Sequence, residues 1–273
     1  MDKLEDRGIV MINEIMKEAR KIVIKIGSNT ISNVDGTINK NFLKKLCEQI
    51  HYLRSLGKQI VIVSSGARIA GVATIGKWKR KGDIHYKQAL CAIGQVELMD
   101  SYRKAFVEYD IHIGQMLLTK GDLTDKHRTL NIRNTLFTLV DEGVVPIINE
   151  NDTVSVDEIK IGDNDTLSAL TANLWDADLL IMFSDIDGVY DKNPKEYKNA
   201  VLLEKVTNID HLVKNIQMGE VNSFGTGGIA TKIEAARKVN QYGIPMVLTN
   251  GQHEDVLKKL LEGKQKATLF ITK

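Results

Sequence analysis

Apolar residues along this chain follow two alternating rhythms. Short runs rich in valine and isoleucine occur at Ile22–Ile24, Ile60–Val63, Ile113–Leu118, Val144–Ile148, Leu179–Phe183, Pro245–Leu248 and Ala267–Ile271. Between them lie longer segments whose apolar positions recur every three or four residues, as Phe42, Leu46, Gln49–Ile50 and Leu53 do. The first rhythm predicts strands and the second amphipathic helices. Helices are expected over Phe42–Leu56, Tyr86–Phe106, Asn131–Asp141, Leu167–Leu174, Ile229–Gln241 and Glu254–Leu261, with a short helical extension over Met1–Ala19. Strands that are apolar on both faces and separated by helices belong to a mainly parallel sheet covered on both sides. The expected fold is α/β: a three-layer αβα sandwich around an open, mainly parallel central sheet. One polar and basic stretch, Gly71–Asp83, reads as an excursion or flap.

Composition narrows the picture only a little. A chain of 273 residues can bury one large core or two small ones. Its three prolines, Pro146, Pro194 and Pro245, form no linker. A net charge of +2 gives no argument for nucleic acid or an acidic membrane as partner. The single basic run, Lys77–Lys81 with Trp78, reads as part of a solvated flap. Cys47 and Cys91 both lie in apolar helical contexts, as small core residues of a reducing compartment do. No apolar run approaches the roughly 18 residues of a membrane span. Asp2, Glu5, Asp6, Glu14 and Glu18 make the N-terminus too acidic for a secretory leader or a transit peptide, so the expected location is the cytoplasm. The six histidines keep no ligand spacing, neither cysteine has a neighbour, and no G-x-S-x-G elbow occurs.

In an open parallel sheet, ligands bind outside the carboxyl ends of the strands, so chemistry is sought there. The first strand runs into Lys25-Ile26-Gly27-Ser28-Asn29. A lysine at the end of a buried strand needs a partner or a route to water, and the glycine after it lets backbone N–H groups approach an anion. The second strand runs into Ser64-Ser65-Gly66-Ala67, a turn of small residues opening a helix. After Val144–Ile148 comes the polar cluster Asn149-Glu150-Asn151-Asp152, and a dozen residues on comes Gly162-Asp163-Asn164-Asp165 at the mouth of an apolar helix. Two dense polar clusters flanking buried segments pack poorly and suit a small polar ligand. Further on lie Ser184-Asp185-Ile186-Asp187-Gly188 and Gly225-Thr226-Gly227-Gly228-Ile229-Ala230-Thr231-Lys232. The second is a glycine-rich entry to a helix with a lysine in it, a plausible phosphate cradle, though it lacks the Gly-Lys-Ser/Thr ending of a Walker loop.

Taken in order, these segments resemble the amino acid kinase family, over about residues 18 to 271. They lie nearest the branch that phosphorylates free glutamate at the start of proline synthesis. The Asn-Glu-Asn-Asp and Gly-Asp-Asn-Asp pair points to that acceptor. The resemblance implies the carbamate kinase-like form of the sandwich. It implies a single kinase domain over 20–273 after an extension over 1–19, acceptor-binding to about 165 and nucleotide-binding beyond. The C-terminal module related to RNA-modifying enzymes, which such kinases often carry, is not expected here. Lys25 and Lys232 would be the cations that stabilise the transferring phosphoryl group, and Asp165 the carboxylate that orients them. Ser65, Gly66, Asp152 and Asn164 would hold glutamate, with Asp163 and Lys160 as further acceptor-side residues. Lys25, Gly27, Ser184, Asp185, Thr226, Gly227, Gly228, Ile229, Ala230, Thr231 and Lys232 would surround ATP. Mg²⁺ would come through the ATP phosphates, with no metal site on the protein. The resemblance further implies a homo-oligomer and proline feedback, and leaves open channelling of the acyl phosphate to glutamyl-phosphate reductase.

Rival readings are an acetylglutamate kinase, an aspartokinase or a nucleotide or small-phosphate kinase of the same family, or a non-catalytic nucleotide or oxyanion binder on the same fold. Asp152 argues against an N-acylated acceptor, which has lost its positive ammonium. Keeping Lys25, Lys232 and Asp165 together argues against mere storage. One departure from the family pattern is Arg68, which stands where an aliphatic residue is expected. A second is Phe183-Ser184 in place of the commoner Leu-Thr.

Overall fold

The computed structural model describes residues 8–76, 80, 82–155, 164–194, 196–218 (215–218 as backbone) and 228–272. The first half runs α1 (Gly8–Glu18), β1 (Lys21–Ile26), α2 (Ser28–Ile31), α3 (Lys40–Ser55), β2 (Gln59–Ser64), α4 (Ala67–Ile75), α5 (Ile84–Val107), β3 (Ile113–Leu118), α6 (Lys126–Asp141) and β4 (Val145–Glu150). The second half runs α7 (Asp165–Trp175), β5 (Leu179–Ser184), β6 (Lys205–Val206), α8 (Ile209–Met218), α9 (Gly228–Asn240), β7 (Met246–Asn250), α10 (Val256–Leu261) and β8 (Ala267–Phe270). The eight strands form one sheet in the order β3-β4-β2-β1-β5-β7-β8-β6. Strands β1 to β5 and β7 are parallel along their pairings, while β8 runs antiparallel to β7 and parallel to β6. This is the mainly parallel αβα sandwich that the apolar pattern predicts.

Strand alternation divides the core. On β1, Ile22, Ile24 and Ile26 face one helical layer, in a cluster with Ile12 and Met16 of α1, Leu43, Leu46 and Ile50 of α3, Leu98 and Tyr102 of α5 and Leu257 of α10. Val23 faces the other layer, with Leu136 of α6, Ala169 and Trp175 of α7, Leu212 of α8 and Ala236 of α9. Each fully buried aliphatic side chain of this kind contributes about 1.5–3 kcal/mol. The same period of two sends Lys25 to the Val23 side, toward α7 and α9. Strand β1 has β2 on one flank and β5 on the other, so its carboxyl end lies at the reversal of strand order where open sheets bind ligands.

Helix α1 is part of the core: Ile12 is 1% and Met16 0% exposed. Lys58 Nζ donates to the carbonyls of Lys17 at 3.0 Å and Ala19 at 2.7 Å, placing a cation at the end of α1 where the helix dipole is negative.

Several elements differ from the sequence reading, each for a local reason. The flap read over Gly71–Asp83 is corrected, since Gly71–Ile75 is the second half of α4. A Cβ on Gly71 would overlap Leu90 O, and one on Gly94 would overlap Ala67 O, so two glycines let α4 and α5 pack backbone to backbone. Residues 77–79 and 81 lie outside the described residues. Helix α6 starts at Lys126, ahead of its first buried position, because Asp125 caps it, its carboxylate accepting from Arg128 N at 2.9 Å. Helix α8 and strand β6 were not expected. Asn208 caps α8 by accepting from His211 N, a signal that was available; β6 is two residues long, too short to show a period.

Candidate active site

At the carboxyl end of β1, Lys25 is 3% exposed and extends to Asp165, with 2.6 Å between Nζ and Oδ1. Asp165 opens α7 and is fully buried. Its other oxygen, Oδ2, receives Lys232 Nζ at 3.1 Å and Thr231 Oγ1 at 2.9 Å, both from the first turns of α9. Lys232 Nζ also donates to Gly228 O at 3.0 Å, one turn back. An acidic residue in the first turn of a helix is favoured by the dipole, but a lysine in the first turns of α9 is not. Lys232 is held there by Asp165 and would be held better by an added anion. Together the three side chains carry two positive charges against one negative, buried and fixed on two helices and a strand.

Beside this node lies a second group. The turn after β2 is tied to β1 by Ser65 N to Ile26 O at 2.9 Å. Gly66 takes φ +110°, a left-handed conformation that L side chains rarely adopt, and a Cβ there would meet Ile31 Cγ2 at 2.8 Å. Tyr102 OH donates to Ser64 Oγ at 3.0 Å, and Ser64 Oγ donates to Ser65 O at 3.0 Å, which pins the turn from α5. The Asn164 amide donates to Ser64 O at 3.0 Å, Ser65 Oγ at 3.1 Å and Asn149 Oδ1 at 2.7 Å. Asn164 therefore locks α7 to the ends of β2 and β4 one residue before Asp165. The Asn164 Oδ1 atom is buried and has no hydrogen-bond partner among the described residues.

Asp152 follows β4 and is 7% exposed. Gln88 of α5 holds its loop by donating to Asp152 O at 3.0 Å and Thr153 O at 3.3 Å. Burial pushes the Asp152 carboxyl above the usual carboxylate range, against the opposing pull of the Cys91 thiol, which donates to it, and the Arg68 guanidinium. Its Oδ1 is buried with no hydrogen-bond partner among the described residues, and the same holds for Arg68 Nε. A hollow of about 370 Å³ opens beside Asp152 and Cys91, between α5 and β3.

The expected residues thus sort by place. Lys25, Asp165, Thr231, Lys232 and Gly228 meet at one node, and Ser65 and Asn164 meet next to it. On the β5 side, Ser184 Oγ donates to Asp185 Oδ1 at 3.2 Å at the strand's end, with Ser184 buried and Asp185 exposed. Gly27 lies between Lys25 and Phe183: a Cβ built on it would sit 3.7 Å from both Lys25 Nζ and Phe183 O. Ile229 and Ala230 lie in the first turn of α9. Asp163, Lys160, Thr226 and Gly227 fall outside the described residues. Sequence reasoning missed Asn149, which accepts from Asn164 at 2.7 Å, and Gln95, which in turn accepts from Asn149 at 2.9 Å. Asn149 sat inside a polar cluster already singled out; Gln95, on a long helix, gave no signal. Among the described residues no three His, Cys, Asp or Glu side chains gather as a metal site.

A parallel sheet with two lysines on one buried aspartate at its point of reversal defines a protein that neutralises a transferring or bound anion. The chain belongs to the amino acid kinase family, whose profile matches residues 20–250. It is 72% identical over 260 residues to the glutamate 5-kinase of Alkaliphilus metalliredigens (strain QYMF), covering 95% of this chain and 98% of that protein. It is 66% identical to the glutamate 5-kinase of Alkaliphilus oremlandii (strain OhILAs), over 95% of this chain and 99% of that one. Its fold is similar to that of a carbamate kinase from Giardia lamblia bound to AMP-PNP, with a TM-score of 0.67 at 15% identity over 94% of this chain and 100% of the other.

Proposed function

We propose that this protein is an ATP-dependent glutamate 5-kinase, which phosphorylates the side-chain carboxylate of L-glutamate to L-glutamyl 5-phosphate, the first step of proline synthesis. The observation that carries the reading is the buried Lys25–Asp165–Lys232 node set one residue from Asn164 and its bond to Ser65. Close similarity to glutamate 5-kinases along nearly the whole chain supports it.

The chemistry needs little from the protein beyond position and charge. A glutamate side-chain carboxylate, with an ordinary pKa of about 4.3, is already ionised at neutral pH, so no general base is required. One carboxylate oxygen forms a bond to the γ-phosphorus of ATP as the bond from that phosphorus to the β,γ-bridging oxygen breaks, and ADP leaves with those electrons. Two anions must be brought into line and the charge on the transferring group offset. Lys25 and Lys232 supply that positive charge, and Asp165 holds both ammonium groups in place so that little rearrangement is needed during transfer. Ser65, Gly66 and Asn164 hold the acceptor near the node, with Asp152 taking its α-ammonium and Asp163 assisting. Gly27, Ser184, Asp185 and the segment Thr226 to Lys232 surround the nucleotide. Apart from Lys25 and Gly27, the part of the chain up to about residue 165 serves the acceptor, and the remainder serves ATP. Mg²⁺ is carried by the ATP phosphates. The reading places the protein in the cytoplasm; among the described residues no helix is long and apolar enough to cross a membrane.

An acyl-phosphate trap with hydroxylamine tests the reading. Purified protein with ATP and Mg²⁺ is given glutamate, N-acetylglutamate or aspartate, and hydroxamate is expected with glutamate alone. Hydroxamate from another acceptor, or from none, overturns it.

A further inference from the structure

Arg68 departs from the family pattern, and the structure gives the departure a place. It sits in the first turn of α4, two residues after Gly66, and its guanidinium is near enough to Asp152 to act on that carboxylate. The two make no ion pair within 4.0 Å: Arg68 Nε and Asp152 Oδ1 are each buried with no hydrogen-bond partner among the described residues. A buried N–H and a buried carboxylate oxygen left without partners are each costly, because neither recovers the hydrogen bond it gave up to water. A third unsatisfied atom, Asn164 Oδ1, belongs to the residue that bonds Ser65 in the same turn. Charge of both signs, spaced and unsatisfied, is the complement of a zwitterion: an ammonium for the carboxylate and a carboxylate for the guanidinium. Arg is also the side chain whose fork matches a carboxylate in plane.

We propose that Arg68 is a specificity-determining residue of the acceptor site, binding the α-carboxylate of the amino acid while Asp152 binds its α-ammonium. This rests on the glutamate reading above. Arg68 then rejects acceptors that carry a γ-carboxylate but no negative α-group, a discrimination that an aliphatic residue at position 68 cannot make by charge.

The test compares L-glutamate with its α-amide, in which that end is neutral, as acceptors for the wild-type protein, Arg68→Ile and Arg68→Lys. Where the amide is not turned over, its inhibition constant against glutamate is used. A hydrogen bond to a charged group is worth about 1.5–3 kcal/mol, so wild type should favour glutamate by a factor of about 10–100. Arg68→Ile should raise the glutamate KM by a similar factor, leave the KM for ATP and the melting temperature near wild type, and shrink the preference over the amide to a few-fold. Arg68→Lys, keeping the charge without the fork, should fall between. If Arg68→Ile weakens both acceptors equally, or neither, Arg68 acts only as a counter-charge to Asp152 and the proposal is overturned. If the wild-type protein gives no product with glutamate, the acceptor reading fails and this inference with it; wild-type turnover with an unchanged preference in Arg68→Ile sinks this inference alone.

Discussion

Two buried aspartates a dozen residues apart in sequence are treated in opposite ways. Asp165 has a cation at each oxygen: Lys25 Nζ lies 2.6 Å from Oδ1, and Lys232 and Thr231 reach Oδ2 within 3.1 Å, from one strand and one helix. Asp152 is almost as buried but keeps an oxygen unbonded among the described residues, and Arg68, whose charge acts on it, stops short of an ion pair. A finished cluster is rigid and ready before any substrate arrives, which suits charge stabilisation during transfer. An unfinished one is completed only by a ligand, which suits selection of that ligand. On the proposed reading the two sites divide the work: one would lower the barrier and the other choose the molecule.

The largest break in that contrast comes from Asp165→Ala. Removing the carboxylate leaves two ammonium groups buried together, a change that typically costs about 3–5 kcal/mol. Denaturant unfolding should show a loss of that order, and turnover should vanish. Stability within about 1 kcal/mol of wild type would mean that the node is held by other partners and is no rigid centre.

Next in size is the separation of turnover from affinity. Lys232→Ala should lower kcat by about 10²–10³-fold, the usual result of removing one preorganised group that stabilises transition-state charge, and change the glutamate KM only a few-fold. Asp152→Ala should do the reverse, raising the glutamate KM by about 10–100-fold through loss of one charged hydrogen bond, with kcat and the KM for ATP within a few-fold. Steady-state kinetics with each substrate varied would read both. If the two variants shift the same parameter, the division of labour is wrong.

The same contrast explains how far the sequence could be read. Asp165 was visible because an acidic residue preceded an apolar helical run, and Lys25 because a charge ended a buried strand. The sheet was visible because short Val- and Ile-rich runs, apolar on both faces, alternate with segments of helical period. What stayed hidden depends on elements meeting across the fold. Thr231, read only as a nucleotide residue, turns out to donate to Asp165, 66 positions away. Cys91 was read as plain core, yet its thiol meets the Asp152 carboxyl. Helix starts at Ile84 and Lys126 were placed late because the capping aspartates, Asp83 and Asp125, govern them rather than the first apolar position. Nothing in the local sequence showed that α4 and α5 touch through Gly71 and Gly94, which made the first five residues of an apparent flap the end of a packed helix.

The smallest effect expected bears on the unsaturated site alone. Burial raises the Asp152 carboxyl above its ordinary range, so the folded protein holds that proton to a higher pH than the unfolded chain does. Between the ordinary value and the raised one the native state binds more protons, and stability falls as pH increases through that window. Above the window the ionised carboxylate is a standing cost to the folded state. Asp152→Asn removes the ionisation while keeping the size. Without substrate, the variant should therefore melt above wild type at neutral pH, by about 2–4 °C for each kcal/mol relieved, and the difference should fade as pH drops toward 4. Saturating glutamate should reverse the order, because only the wild-type carboxylate gains a partner. A variant that melts at or below wild type at neutral pH without glutamate would show that Asp152 is already satisfied in the empty protein. The contrast with Asp165 would then disappear, since both carboxylates would be finished parts of one rigid scaffold.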